Sequence, residues 1–287
     1  MSDPLLFLHA RLRVEEKLLL QALAQREVAF QTQDIRQLHL RIDGPSQVAA
    51  SLVWDRSLSF GRALSAMRTF SAAGAICLNR PEVIAICGDK LQTHLALSQA
   101  GLPTPRTRVA FSAASAMEAC EELGWPVVTK PIVGSWGRLA SRLNDRDAAE
   151  AVFEHKETLG DWTHGSFYLQ EFVDKPGRDL RVFVIGDEPI AAIERRSEHW
   201  ITNTARGAST ANRVIDEPLR RLALGAAAAV GGGQLAIDLV ERRDGELLVL
   251  EVNHSMEFRN SIEVTGVDIP GRMVDDALSR IREGVAG

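Results

Sequence analysis

The segment QLAIDLVERRDGELLVLEVN, Gln234 to Asn253, sets two largely apolar runs, Gln234–Val240 and Glu246–Asn253, on either side of Asp244-Gly245. Asp-Gly between two such runs predicts a β-hairpin with a two-residue type I′ turn. A turn at those two residues pairs Asp238 directly with Glu251. Strand side chains alternate, so Asn253 falls on the same face two residues further on. Opposed carboxylates ~5 Å apart repel by about 3 kcal/mol at an effective dielectric near 20. Removing one of them is therefore expected to leave stability unchanged or higher. A bound cation reverses the repulsion, and a sparse all-oxygen set suits Mg²⁺ better than zinc or a full calcium cage. The alternative is that one carboxylate turns to solvent or pairs with an arginine.

Upstream, Leu180–Ile185 and Ile190–Arg195 around Gly186-Asp187 predict another hairpin, and Pro218–Val230 a helix. The middle of the chain predicts strand Arg106–Ala110, helix Ser112–Leu123, strand Val127–Lys130, a Gly-rich loop, helix Asp145–Glu157 and strand Tyr168–Val173. The first ninety residues predict strand Leu5–His9, a helix over Val14–Gln25, strand Val28–Thr32 and further α/β alternation to Ile84–Cys87. Asp89 then caps a helix that runs to Gly101. These elements imply an α/β chain with a boundary near Gly88, divided as 1–88, 89–168 and 169–287.

Composition narrows the function classes. The 287 residues are 45% hydrophobic and 25% charged, an ordinary globular balance for two or three domains. A net charge of -5 supplies no overall basic field for nucleic acid or anionic lipid. No apolar stretch approaches the ~20 residues of a membrane span, and Pro4–Ala10 is too short and wrongly flanked for a signal peptide. Cys77, Cys87 and Cys120 lack metal-ligand spacing and are expected as buried free thiols in a reducing cytosol.

Two loops add polar chemistry. Lys130-Pro131-Ile132-Val133-Gly134-Ser135-Trp136-Gly137-Arg138 places a strand-end lysine before a loop rich in backbone N–H groups, able to fold over phosphate oxygens or to be an ordinary surface turn. It is not a Walker A sequence, and Gly231-Gly232-Gly233 is not a dinucleotide fingerprint. Arg195, Arg196 and Arg206 enclose Asn203 and Thr204 in a segment with His199 and Trp200, either a solvated loop or an anion-binding lid. No Ser-His-Asp or Cys-His arrangement suggests a covalent nucleophile.

Taken in order, Asp89-Lys90, Lys130-Pro131, Gly134 to Arg138, Gln170-Glu171-Phe172-Val173, Gly177-Arg178-Asp179-Leu180-Arg181, Asn203 to Gly207, Asp238 and Glu251-Val252-Asn253 resemble the ATP-grasp ligases of the RimK-related group over nearly the whole chain. The resemblance implies three α/β domains holding ATP between two antiparallel sheets. Within that group, His199–Gly207 and Glu251–Ser261 resemble the LysX type, which ligates α-aminoadipate to the amino-group carrier LysW. ArgX-type relatives, which act on glutamate, are expected to carry Gly-Phe in place of Asn260-Ser261.

Carried over residue by residue, the resemblance makes Lys90 and Lys130 phosphate-binding lysines and Gly134, Ser135, Trp136, Gly137 and Arg138 the loop over the phosphates. Gln170, Glu171, Phe172 and Val173 become the hinge reading adenine, with Asp179 near the ribose and Arg181 and Asn203 further ATP contacts. Asp238, Glu251 and Asn253 become ligands of Mg²⁺, two ions in number, and Arg206 the residue steadying an acyl phosphate. Arg195, Asn203, Thr204, Arg206, Asn253, His254, Asn260 and Ser261 become the amino-acid pocket. The implied partners are α-aminoadipate and a small acidic LysW-like carrier, in a cytoplasmic homotetramer. A RimK- or ArgX-like glutamate ligase and an idle nucleotide-binding regulator are the rival readings.

Overall fold

The computed structural model describes residues 3–44, 49–134, 137–160, 165–202 and 207–285. The N-terminal part contains strands β1 (Leu5–His9), β2 (Phe30–Asp34), β3 (Leu52–Asp55) and β4 (Cys77–Leu78) with helices α1 (Val14–Gln25), α2 (Phe60–Ala72) and α3 (Pro81–Gly88). Its strands run parallel in the order β2-β1-β3-β4. Parallel strands are covered on both faces, which is why β1 and β3 read as unbroken apolar runs. Leu5, Phe7 and Trp54 enter one core, and Leu6, Leu8 and Val53 the other.

Strand β2 begins two residues later than the sequence predicts. Glu27 and Val28 close helix α1 instead, donating backbone N–H to the carbonyls of Ala24 and Leu23 (both 3.1 Å), with Glu27 at φ 55°. That double return is a helix C-terminal motif, and it delays the strand. Ile84–Cys87 belongs to helix α3.

Helix α4 (Lys90–Gln99) opens with Asp89 accepting Gln92 N–H at 2.9 Å, as its sequence predicts. Strands β5 (Thr107–Ala110), β6 (Val127–Lys130), β7 (Ser141–Leu143) and β8 (Phe167–Glu171) form an antiparallel sheet ordered β5-β8-β6-β7. Helices α5 (Ala113–Leu123) and α6 (Arg146–Leu159) cover it through Ala116, Cys120 and Phe153, which pack with Phe167 of the sheet. Strand β7 is absent from the sequence reading because three residues carry too little periodicity to detect.

The last sheet is antiparallel, ordered β11-β10-β9-β12-β13, from β9 (Arg178–Ile185), β10 (Glu188–Arg196), β11 (Ser209–Asn212), β12 (Gln234–Glu241) and β13 (Leu247–Asn253). Helix α7 (Glu217–Ala229) covers one face, against Val182, Val184, Ile237 and Val249. On the opposite face Phe183, Ile185, Ile193 and Ala236 pack with Ile269, Met273 and Ala277 of α9 (Ile269–Val285) and with Leu5 and Phe7. Helix α8 (Arg259–Thr265) precedes α9. The buried N-terminal strand and this sheet thus share one core.

Strand alternation explains where that core stops. Continuing along the face of Phe183 leads to Arg181 and Asp179, from Ile193 to Arg195, and from Ala236 to Asp238. One face is apolar at one end and charged at the other.

The three cysteines are free and buried. Among the described residues no helix is long and apolar enough to cross a membrane.

Candidate active site

The hairpin that opened the sequence reading pairs Asp238 with Glu251, and Ala236 with Asn253. The turn itself is longer than predicted. Arg242 N–H reaches Glu246 O at 2.8 Å and Gly245 N–H reaches Arg242 O at 3.0 Å, enclosing three residues with Gly245 at φ 93°. Left alone, that turn would slip the register by one. A β-bulge restores it: Leu239 pairs with Val249 and Asp238 with Glu251, leaving Leu250 extra. Val249 and Val252 therefore face the α7 core, whereas Leu250 and Glu251 both line the opposite cleft.

That cleft lies between the middle and last sheets and is lined by Lys90, Lys130, Gln170, Asp179, Asp238 and Glu251, with Val240 and Leu250 forming an apolar wall. Gly134, Gly137, Arg138, Glu171, Phe172 and Val173 line it as well. Ser135, Trp136, Asn203, Thr204 and Arg206 lie outside the described residues.

Each lysine is held by local structure. Lys90 N–H donates to Ile132 O at 2.9 Å, pinning the start of the Gly-rich loop to the N-terminus of α4. Its ammonium donates to Gly134 O and lies 3.8 Å from Glu251. Lys130 Nζ donates to Gln170 Oε1 at 2.7 Å. Burial lowers its pKa to about 8; Glu251 opposes that shift and the charges of Lys90 and Lys175 add to it. An ammonium so desolvated gains strongly from an anion beside it.

The hinge segment divides its work. Glu171 is tied to Arg106 (Nε to Oε2 2.9 Å) and to Arg242, and its N–H donates to Arg106 O. Its carboxylate is thus already spent on arginines. Phe172 sits under the Arg142 guanidinium, 4.9 Å from the ring centroid, and edge-on to Trp200 at 6.3 Å. Trp200 and Lys175 line the same cleft, and no local periodicity marks either in the sequence.

Asp238 differs most from the sequence reading. Its second cross-strand neighbour, on β9, is Arg181, which grips it at two points: Nε to Oδ1 2.7 Å and Nη2 to Oδ2 2.8 Å. Arg195 adds a contact at 3.3 Å. Burial raises the Asp238 pKa, but the two guanidinium groups outweigh it and hold the carboxyl below its usual range. The expected repulsion between Asp238 and Glu251 is thereby offset, so removing Asp238 no longer relieves strain. The alternative of pairing with an arginine is what this structure shows.

Arg195 also donates to Asp179 at 2.6 Å, and Asp179 accepts a hydrogen bond from Thr202. Arg181 does not line this cleft. It borders two neighbouring cavities: one with Arg11, Arg13, Arg195, Arg259, Asn260 and Ser261, the other with Asp55, Asn253 and His254. Burial, reinforced by the charge of Arg56, lowers the His254 pKa to about 4, so it is neutral near pH 7.

Asp238, Glu251 and Asn253 share one face, where Asn253 Nδ2 donates to Asp238 Oδ2 at 3.4 Å. Among the described residues no cluster of three or more His, Cys, Asp or Glu could hold a metal alone. Two carboxylates and an amide fit a hard divalent cation whose remaining positions are filled by phosphate and water.

A model of the RimK-like ATP-grasp domain matches residues 87–277, and one of the LysX preATP-grasp domain matches residues 5–86. The chain is 37% identical over 229 residues to the α-aminoadipate–LysW ligase LysX of Saccharolobus solfataricus, covering 79% of this chain and 83% of that protein. It is 32% identical over 268 residues to the glutamate–LysW ligase ArgX of Sulfurisphaera tokodaii, covering 92% and 94%. The structure of a RimK-domain ATP-grasp protein from Sphaerobacter thermophilus superposes with TM-score 0.80 at 28% identity, over 95% of this chain and 98% of that one.

Proposed function

The chain belongs to the RimK-like ATP-grasp family and is an ATP-dependent carbon–nitrogen ligase, and from that premise we propose that it joins the α-amino group of α-aminoadipate to the side-chain carboxylate of the C-terminal glutamate of a LysW-like carrier. One observation carries the reading: a cleft lined by Lys90, Lys130, Asp238 and Glu251 adjoins a separate arginine-lined cavity that ends on Asn260 and Ser261. Nucleotide and dicarboxylate are then bound side by side.

Lys130, desolvated and held by Gln170, meets the phosphates, and Lys90 meets them from the helix terminus. Val240 and Leu250 pack against adenine, and the backbone of Glu171 to Val173 reads its edge. Mg²⁺, two ions in this reading, supplies charge neutralisation on the phosphates when bound to Asp238, Glu251 and Asn253. The carrier carboxylate attacks the γ-phosphate to give an acyl phosphate and ADP, and the amine of aminoadipate displaces phosphate. The protein contributes position and electrostatics rather than a covalent intermediate. Arg206 steadies the acyl phosphate, and Arg195, Asn203, Thr204 and His254 complete the amino-acid pocket. The enzyme acts as a homotetramer.

A second reading, glutamate as substrate, is favoured by the longer span of the ArgX match. Asn260-Ser261 separates the two. Mixing the protein with Mg-ATP, a LysW-type carrier and either amino acid, then weighing the carrier, tests both: a mass gain of aminoadipate minus water supports the first, of glutamate minus water the second, and no gain refutes both.

A further inference from the structure

The cavity beside the nucleotide cleft shares Gly134, Gly137, Asp238 and Glu251 with it, and shares Leu58, Arg181 and Glu257 with the arginine-lined cavity. It therefore connects the nucleotide cleft with the arginine-lined cavity. Its carboxylates are Asp55, Asp238, Glu251 and Glu257. Asp238 is held by Arg181, Glu257 by Arg13 at 2.6 Å, and Glu251 lies 3.8 Å from Lys90. Asp55, at the end of β3 and 8% exposed, makes no ion pair among the described residues and accepts from Ser57, whose N–H lies 3.3 Å away. Ser255 Oγ, on the same wall, is buried without a hydrogen-bond partner.

We infer that Asp55 is the residue that receives the proton of the incoming α-ammonium group, an assignment resting on the ligase reading above. The α-ammonium gives one proton to the Asp55 carboxylate, and the freed nitrogen lone pair forms the C–N bond to the acyl carbon. The C–O bond to phosphate breaks with its electron pair on phosphate. The second surplus amine proton leaves with the phosphate. The amide keeps one.

The surroundings suit the role. Burial, aided by Glu16 and opposed by Ser57 and Arg56, raises the Asp55 pKa to about 6, leaving it ionised near neutral pH and more basic than an ordinary carboxylate. Across the cavity stand Asp238, Glu251, Glu257, Arg181 and neutral His254. Arg56 is turned away, bound to Glu16 and to the Met256 carbonyl.

Hydroxylamine, unprotonated at neutral pH, separates the steps because it traps the acyl phosphate without needing a base. With Mg-ATP and the carrier, Asp55→Asn should form carrier hydroxamate within about twofold of the parent rate while ligating the amino acid about 100-fold or more slowly. Raising the pH from about 7.5 to about 9.5 should close at least about tenfold of that gap, as the amine loses its proton to solvent. Asp55→Glu should recover much of the ligation rate. Equal loss of hydroxamate and amide formation, or amide formation at the parent rate in Asp55→Asn, overturns the assignment. A parent enzyme that forms no hydroxamate overturns the carrier reading and this assignment with it.

Discussion

Arg181 and Asp238 face each other across β9 and β12, with Nε 2.7 Å from Oδ1 and Nη2 2.8 Å from Oδ2. Asp238 is neutralised from one neighbouring strand while Glu251 faces it from the other. In the proposed reading, a cation arriving with nucleotide would share this carboxylate with a guanidinium group already in place.

Replacing Asp238 by Asn leaves Arg181 and Arg195 against a buried neutral amide, and should lower the unfolding free energy by about 3 kcal/mol as well as abolish ligation. Urea titration measures the first effect. Because the Asp238 pKa is depressed, its stabilisation is present above the unfolded value of about 3.9 and lost as pH falls through the lower folded value. The gap between parent and variant should hold from about pH 7 to about pH 5 and shrink below about pH 4. A variant as stable as the parent would show that Arg181 does not depend on Asp238.

A phosphate beside Lys130 should raise its pKa from about 8, so ATP binding above that pH should take up a proton. Calorimetry in buffers of different ionisation enthalpy reads the uptake directly. Lys130→Met should lose it and bind ATP about 10- to 100-fold more weakly, whereas Arg206→Ala should mainly slow turnover. Unchanged ATP affinity in Lys130→Met would remove this lysine from the phosphate site.

Leu250, the extra residue of the bulge, lines the cleft beside Val240. Truncation to Ala should weaken ATP and ADP equally, by about 1–2 kcal/mol, since the lost contact is with the base and not the phosphates. Titrating both nucleotides checks the equality; a loss confined to ATP would place Leu250 elsewhere.

Asn260 is exposed at the start of α8, while Ser261 is 2% exposed, and both border the arginine-lined cavity. The substrates differ by one methylene, which apolar packing discriminates by only ~1–3 kcal/mol, whereas unpaired donors in a closed pocket discriminate more. Asn260→Gly with Ser261→Phe should shift kcat/KM toward glutamate, at a stability cost of about 1–3 kcal/mol from the buried ring. An unchanged ratio in the folded double variant would reduce the pair to a helix-start turn.

The hairpin of Gln234 to Asn253 was legible because strand alternation is a local property: Glu251 and Asn253 share a face of one strand, as Ala236 and Asp238 do of the other, whatever lies around them. The turn was not. Asp-Gly suits a two-residue loop, but the chain takes three residues and recovers its register through the bulge at Leu250, which only the paired strands reveal. Helix α4 was readable from Asp89 for the same local reason, its cap needing only neighbouring N–H groups. Arg181 opposite Asp238 was not readable, because β9 and β12 are brought together only when helix α7 and the strands close on one core. Nor was the approach of Asp55, on a strand of a different sheet, to the cavity behind Glu251. Periodicity along a chain fixes which side chains share a face; which charges meet across strands, and how far from water, is decided only when separate faces are buried against each other.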